Sequence, residues 1–173
     1  MINTNWDNEI LSVLELASRN NVRMIMVGGG AVNFHGYQRH SADVDFWIDT
    51  TEENFKNLVI VFNEMGYEIT DFPDDVKQQL QNISVKFSPS NIDLELITKF
   101  SSDITFEEAY NRSTVAVVEG KNFLQWNVLS YEDLIDSKIK ARRPKDLLDI
   151  SQLQKIKEEQ KNNTSKKKKG RGI

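Results

Sequence analysis

The chain has 173 residues, 39% of them hydrophobic and 28% charged, which suits one domain with its own core and the composition of a globular protein. It has no cysteine, which excludes disulfides, zinc–thiolate centres and thiol nucleophiles and fits a reducing compartment. The net charge of −4 is uneven: residues 161–173 carry six basic side chains and no acid, leaving −10 on residues 1–160.

In chain order, residues 6–19 place Trp6, Ile10, Val13, Leu14 and Ala17 at helical spacing. The opening MINTNWDNEILSVLELA is acidic where a secretory signal would be basic. No apolar run approaches the roughly 20 residues that cross a bilayer. The expectation is therefore a cytoplasmic protein with no membrane partner. VRMIMV (22–27) reads as a buried strand and ends at Gly28, Gly29 and Gly30. AVNFHG (31–36) reads as a short helix closing at Gly36, and residues 37–42 as a polar loop. DVDFWID (43–49) is a strand with Asp43, Asp45 and Trp47 on one face. Residues 50–66 form a helix with a threonine cap, early acids and Gly66 at its end. After a polar Asp/Pro segment, SVKF and IDLELI make a hairpin around SPSN. In IDLELI, Asp93 and Glu95 share a face. TFEEAYNR (105–112) is helical, and TVAVVEG and NFLQW are strands. The C-terminal part is two helices meeting near Arg143 and Pro144, with Pro144 in a first turn. The order predicts an α/β (α+β) domain over residues 1–160, a mixed sheet flanked by helices with further helices at the C-terminus. Residues 161–173 read as a solvated, disordered basic tail. Its other reading is a salt-sensitive contact to RNA. The acidic body argues against a broad nucleic-acid surface.

Three features point to one chemistry. A glycine turn follows a buried strand, a second strand presents Asp43 and Asp45, and a later strand presents Asp93 and Glu95 on an equivalent face. If the two acidic strands are neighbours, the carboxylates converge as metal-assisted displacement at phosphorus requires. Mg²⁺ suits such a site because it takes a few carboxylates together with substrate phosphates. A glycine turn lets backbone N–H groups approach phosphate oxygens. A dinucleotide-binding fingerprint fails because Asn33 stands where its third glycine belongs, and the phosphate-binding Walker loop lacks its Gly-Lys-Ser/Thr end.

GGGAV followed by HGYQRHSADVDFWI resembles the polymerase-β-like nucleotidyltransferases, whose motif is a Gly-Gly or Gly-Ser turn and then Asp-x-Asp/Glu on the next strand. The closer likeness is to small stand-alone bacterial members, of the abortive-infection toxin and antibiotic-nucleotidyltransferase kinds. SYEDLIDSKIKARRPKDLLDI resembles the family's later segment, where a helical lysine precedes an Arg-x-Lys-Asp element. The likeness covers residues 8–157. It implies the nucleotidyltransferase fold and transfer of NMP from an NTP, with Mg²⁺, to a hydroxyl acceptor, a small molecule or an RNA, releasing pyrophosphate. Gly28 and Gly29 would hold the triphosphate through their backbone. Asp43 and Asp45 would ligate Mg²⁺. Asp93 would ligate metal and accept the hydroxyl proton, with Glu95 as its competitor on the same face. Arg39 and Lys138 would neutralise phosphate charge. A rival from another class is a non-catalytic nucleotide- or partner-binding module of a toxin–antitoxin kind on the same fold; a third reading is a phosphohydrolase with the same metal pair.

Several residues have plainer readings. Gly30 serves close packing as readily as a ligand contact. Trp47 reads as core beneath the site. His35 packs or hydrogen-bonds near the turn, and with His40 makes no metal pair at this spacing. Arg142, Arg143 and Lys145 read as a basic helix end, and Asp146 and Asp149 as helix-start and surface acids, with the lesser alternative that they support residues of the site.

Overall fold

The protein is described by a computed structural model covering residues 8–87, 92–120 and 124–169. Helix α1 (Asn8–Arg19) buries Ile10, Val13, Leu14 and Ala17, the stripe expected; Trp6 lies outside the described residues. Strand β1 (Met24–Val27) is buried along its whole length and runs directly into α2 (Gly28–Phe34). The three glycines are therefore the first turn of α2, not a turn ahead of it. Strand β2 (Asp43–Ile48) follows, then α3 (Glu52–Glu64), whose Thr51 cap accepts a hydrogen bond from the Asn54 N–H. Gly66, at φ +99°, follows its end.

A one-turn helix, α4 (Asp74–Lys77), lies in the polar Asp/Pro segment, to which the sequence assigned no element. β3 (Ile83–Lys86) and β4 (Asp93–Ile97) pair antiparallel, as expected; the SPSN turn between them lies outside the described residues. Helix α5 (Phe106–Arg112) opens on a full capping box, with Thr105 and Glu108 each accepting from the other's backbone N–H. β5 (Thr114–Val117) pairs antiparallel with β6 (Gln125–Val128). The expected strand NFLQW starts earlier than β6, and Asn122 and Phe123 lie outside the described residues. Helices α6 (Tyr131–Ala141) and α7 (Pro144–Lys169) meet at Arg142, which takes the left-handed conformation at φ 52°.

α7 corrects one expectation: the basic run from 161 is helical through Lys169 rather than disordered. No glycine or proline interrupts residues 145–169, and Lys, Glu and Gln are good helix formers. No described helix is long and apolar enough to cross a membrane.

The six strands form one mixed sheet in the order β3-β4-β2-β1-β6-β5. β2 is antiparallel to β1 and parallel to β4. One face carries Val44, Phe46, Ile48, Leu94 and Leu96, all buried in the core shared with Ile10, Leu14, Phe55 and Val61. The other face carries Trp47, buried against Phe100 and Phe106 at ring-centroid distances of 5.1 and 5.3 Å, as its core reading expects.

Candidate active site

The site lies at the sheet end where β1 stops and β2 and β4 begin. The parallel register sets Asp43 beside Asp93 and Asp45 beside Glu95. Parallel neighbours in register point the same way, and strands lie about 4.8 Å apart, so four carboxylates share one patch. Asp93 and Glu95 are only half-buried, which leaves the patch reachable from solvent. The structure therefore brings Asp43, Asp45, Asp93 and Glu95 together on a single face.

β1 reaches the same patch from the other side. Val27 is registered against Asp45, so Gly28 begins exactly where that carboxylate sits. Gly28 has φ +61°, and a Cβ there would overlap Asp45 Oδ2. Both the backbone and the neighbour demand glycine. Gly29 is buried, and a Cβ on it would fall 2.7 Å from the Cβ of Ser41, whose hydroxyl donates to the Asp43 carbonyl at 2.9 Å. Gly30 faces the Met26 thioether, so its close contact is with a core side chain. The N–H groups of Gly28 and Gly29 open α2, where helix geometry gives them no acceptor of their own.

Like charges gather here at an electrostatic cost. Burial, and then the neighbouring Asp43 and Glu95, push the Asp45 carboxyl up to about 6; Lys145 and Arg143 oppose the shift. The two cations at the α6–α7 junction thus act on the acid patch. Among the described residues, no three Asp, Glu or His side chains converge closely enough to hold a metal ion by themselves. The donors fit Mg²⁺ nonetheless, since that ion completes its shell with substrate phosphates and water around one or two carboxylates. Asp43 and Asp45 are the candidate ligands, and Asp93 and Glu95 stand beside them on the neighbouring strand.

The remaining expected phosphate ligands sit differently. Arg39, in the loop before β2, donates from Nε and Nη2 to Asp149 at 2.7 and 3.0 Å. Lys138 is 5% exposed and lies between Asp146 (3.2 Å) and Asp149 (2.7 Å). Asp146 and Asp149, read from the sequence as helix-start and surface acids, are 0% and 1% exposed. Burial pulls the Asp146 carboxyl upward, but hydrogen bonds from Arg143 and Lys138 outweigh it and hold the group below its ordinary range. The signal for both acids was present: Asp146, Asp149 and Leu153 stand at i, i+3 and i+7, one helical stripe, and Leu153 is core. Leu147 and Leu148 beside them are half exposed.

His35 is structural, as its plainer reading expected. Its Nε2–H donates to the Leu129 carbonyl at 2.7 Å, and its ring packs edge-on to Phe34 and Tyr131. Burial holds its pKa below the usual histidine value. The bond ties the end of α2 to the end of β6.

No curated protein matches the chain. Residues 5–162 match the family described as "Nucleotidyltransferase of unknown function (DUF6036)". That match takes in every element from α1 into α7, the glycine turn, both acidic strands and the buried ion pairs of α6 and α7, and the chain belongs to this nucleotidyltransferase family.

Proposed function

We propose that the protein transfers NMP from an NTP to a hydroxyl acceptor, with Mg²⁺, and releases pyrophosphate. The observation that carries this reading is the register of β2 against β4 beside Gly28: four carboxylates on one face, with Asp45 against the glycine turn. Clustered carboxylates are costly without a cation, and Asp43 and Glu95 add to burial in raising the Asp45 carboxyl. Asp43 and Asp45, with Asp93 or Glu95, would hold Mg²⁺, which when bound offsets the charge that develops on the phosphates.

The chain's own groups account for the rest. The backbone of Gly28 and Gly29 binds and orients the triphosphate. Asp93 or Glu95 takes the acceptor's hydroxyl proton. The acceptor oxygen then bonds to the α-phosphorus as the bond to the β-phosphate bridging oxygen breaks, and pyrophosphate leaves. Arg143 and Lys145, whose charges act on Asp45, are the cations that would offset the charge growing on the leaving group. The acceptor is a small molecule or an RNA; the exposed lysines Lys161, Lys166 and Lys167 of α7 favour RNA as a salt-sensitive contact.

The test is label transfer. The protein is incubated with each α-labelled NTP, Mg²⁺ and separate pools of cellular RNA, protein and small molecules. Label in one pool, lost in the Asp43→Asn/Asp45→Asn double variant, supports the reaction and names the acceptor class. Mg²⁺-independent NTP binding that survives Asp45→Asn sinks the proposal.

A further inference from the structure

Asp146 and Asp149 are the two least exposed charged residues among those described, at 0% and 1%. Their partners come from three separate segments. Asp149 takes the Arg39 fork from the loop before β2 and the Lys138 ammonium from α6. Asp146 takes the Arg143 backbone N–H (3.1 Å), Nε (2.7 Å) and Nη2 (3.2 Å), together with Lys138 Nζ (3.2 Å). Three cations surround two acids, so the network keeps one positive charge in excess. Breaking such a network from one side leaves a buried charge uncompensated, so its members stand or fall together.

The geometry of Arg39 gives the network a purpose beyond stability. Nε and Nη2 are both committed to Asp149. The third nitrogen, Nη1, lies 3.5 Å from the point a Cβ on Gly29 would occupy, with one long contact of 3.4 Å to the His40 carbonyl. A guanidinium held at two corners cannot swing, so its third corner stays against the glycine turn. Lys138 has no comparable freedom: it is enclosed by the two carboxylates.

We infer that Asp149 is a positioning residue for the triphosphate: through its two-point grip on Arg39 it holds one guanidinium N–H group against Gly29 in the glycine turn, while Lys138, enclosed by Asp146 and Asp149, ties the two acids together without touching phosphate itself. The inference rests on the nucleotidyl-transfer reading and assigns the anchor of that site's phosphate contact. A solvent-exposed arginine would lose rotamer freedom on meeting phosphate; this one has lost it already.

The test compares Mg²⁺-dependent binding of NTP and NMP of the same base to the full chain, using the NTP that binds tightest of the four. Asp149→Asn releases the fork. Arg39→Lys keeps a cation for Asp149 but not the third corner, and it guards against Asp149→Asn failing to fold. Loss of one charge-assisted hydrogen bond weakens NTP binding about tenfold to a hundredfold in either variant. NMP binding stays at the wild-type value, so the preference for NTP over NMP collapses. Equal loss of NTP and NMP binding overturns the inference in favour of a structural role, and so does wild-type affinity for both in the two variants. A wild-type protein that binds no NTP in Mg²⁺ overturns the underlying reading and this inference together.

Discussion

Asp45 and Gly28 are shaped by each other. The left-handed backbone at Gly28 costs any other residue about 1–2 kcal/mol, and the Asp45 carboxylate occupies the space a side chain would need. Gly28→Ala is expected to lower stability by at least that amount in urea unfolding, and Gly66→Ala, with open space around it, by the backbone part alone. Asp45 makes a prediction of opposite sign. A carboxyl held up near 6 in the folded state binds its proton more tightly than at the ordinary 3.8, so its contribution to stability falls as pH rises between those values and stays low above. Asp45→Asn should therefore raise the thermal midpoint at pH 7 to 8, with the gain gone near pH 4. Mg²⁺ should raise the wild-type midpoint at pH 8 and leave that of Asp45→Asn nearly unmoved. The glycines and acids were legible in the sequence as a motif. Why Gly28 must be glycine was not, because only the pairing of Val27 with Asp45 brings that carboxylate to it.

At the scale of elements, chemistry at the ends made helices legible. Thr51, Thr105 and Ser130 each cap a helix through the side-chain oxygen, and Pro144 opens α7. Thr105→Ala should cost about 1 kcal/mol, read by urea unfolding, since it removes half of a capping box. Four residues are too few to show a helical period, so α4 was hidden. The helical run past residue 160 was hidden for another reason: it has no apolar stripe, and lysine-rich composition reads as tail. Residues 158–167 are exposed throughout, so truncation after Gln160 should lower helical circular dichroism and leave the thermal midpoint unchanged. The stripe of Asp146, Asp149 and Leu153 on α7 was legible, but the partner of Asp149 in the loop before β2, Arg39, 110 positions away, was not.

Across the whole molecule, one sheet serves two purposes, and Trp47 stands on the boundary. It shares a face with Asp43 and Asp45, yet is covered by Phe100 and Phe106. Trp47→Ala should cost about 3–5 kcal/mol, a large share of the roughly 5–15 kcal/mol that holds a domain folded, and should broaden or abolish the urea transition. The fold class followed from alternation and hairpin spacing; the adjacency of the acidic strands was only a condition there and is supplied by the register of β2 against β4, and the strand order, with β1 between β2 and β6, was not legible, because no local pattern encodes which distant strands pair. The Arg39–Asp149 contact has a consequence in time as well as space. The two residues are 110 positions apart. A ribosome adding about 5–20 residues per second makes Asp149 about 5 to 20 seconds after Arg39. Once residue 97 has been made, the nascent chain has its glycine turn and both acidic strands, but not yet the residue that fixes the arginine. The Arg39 fork can therefore close only after α7 has begun to emerge, which makes it a late contact of the fold.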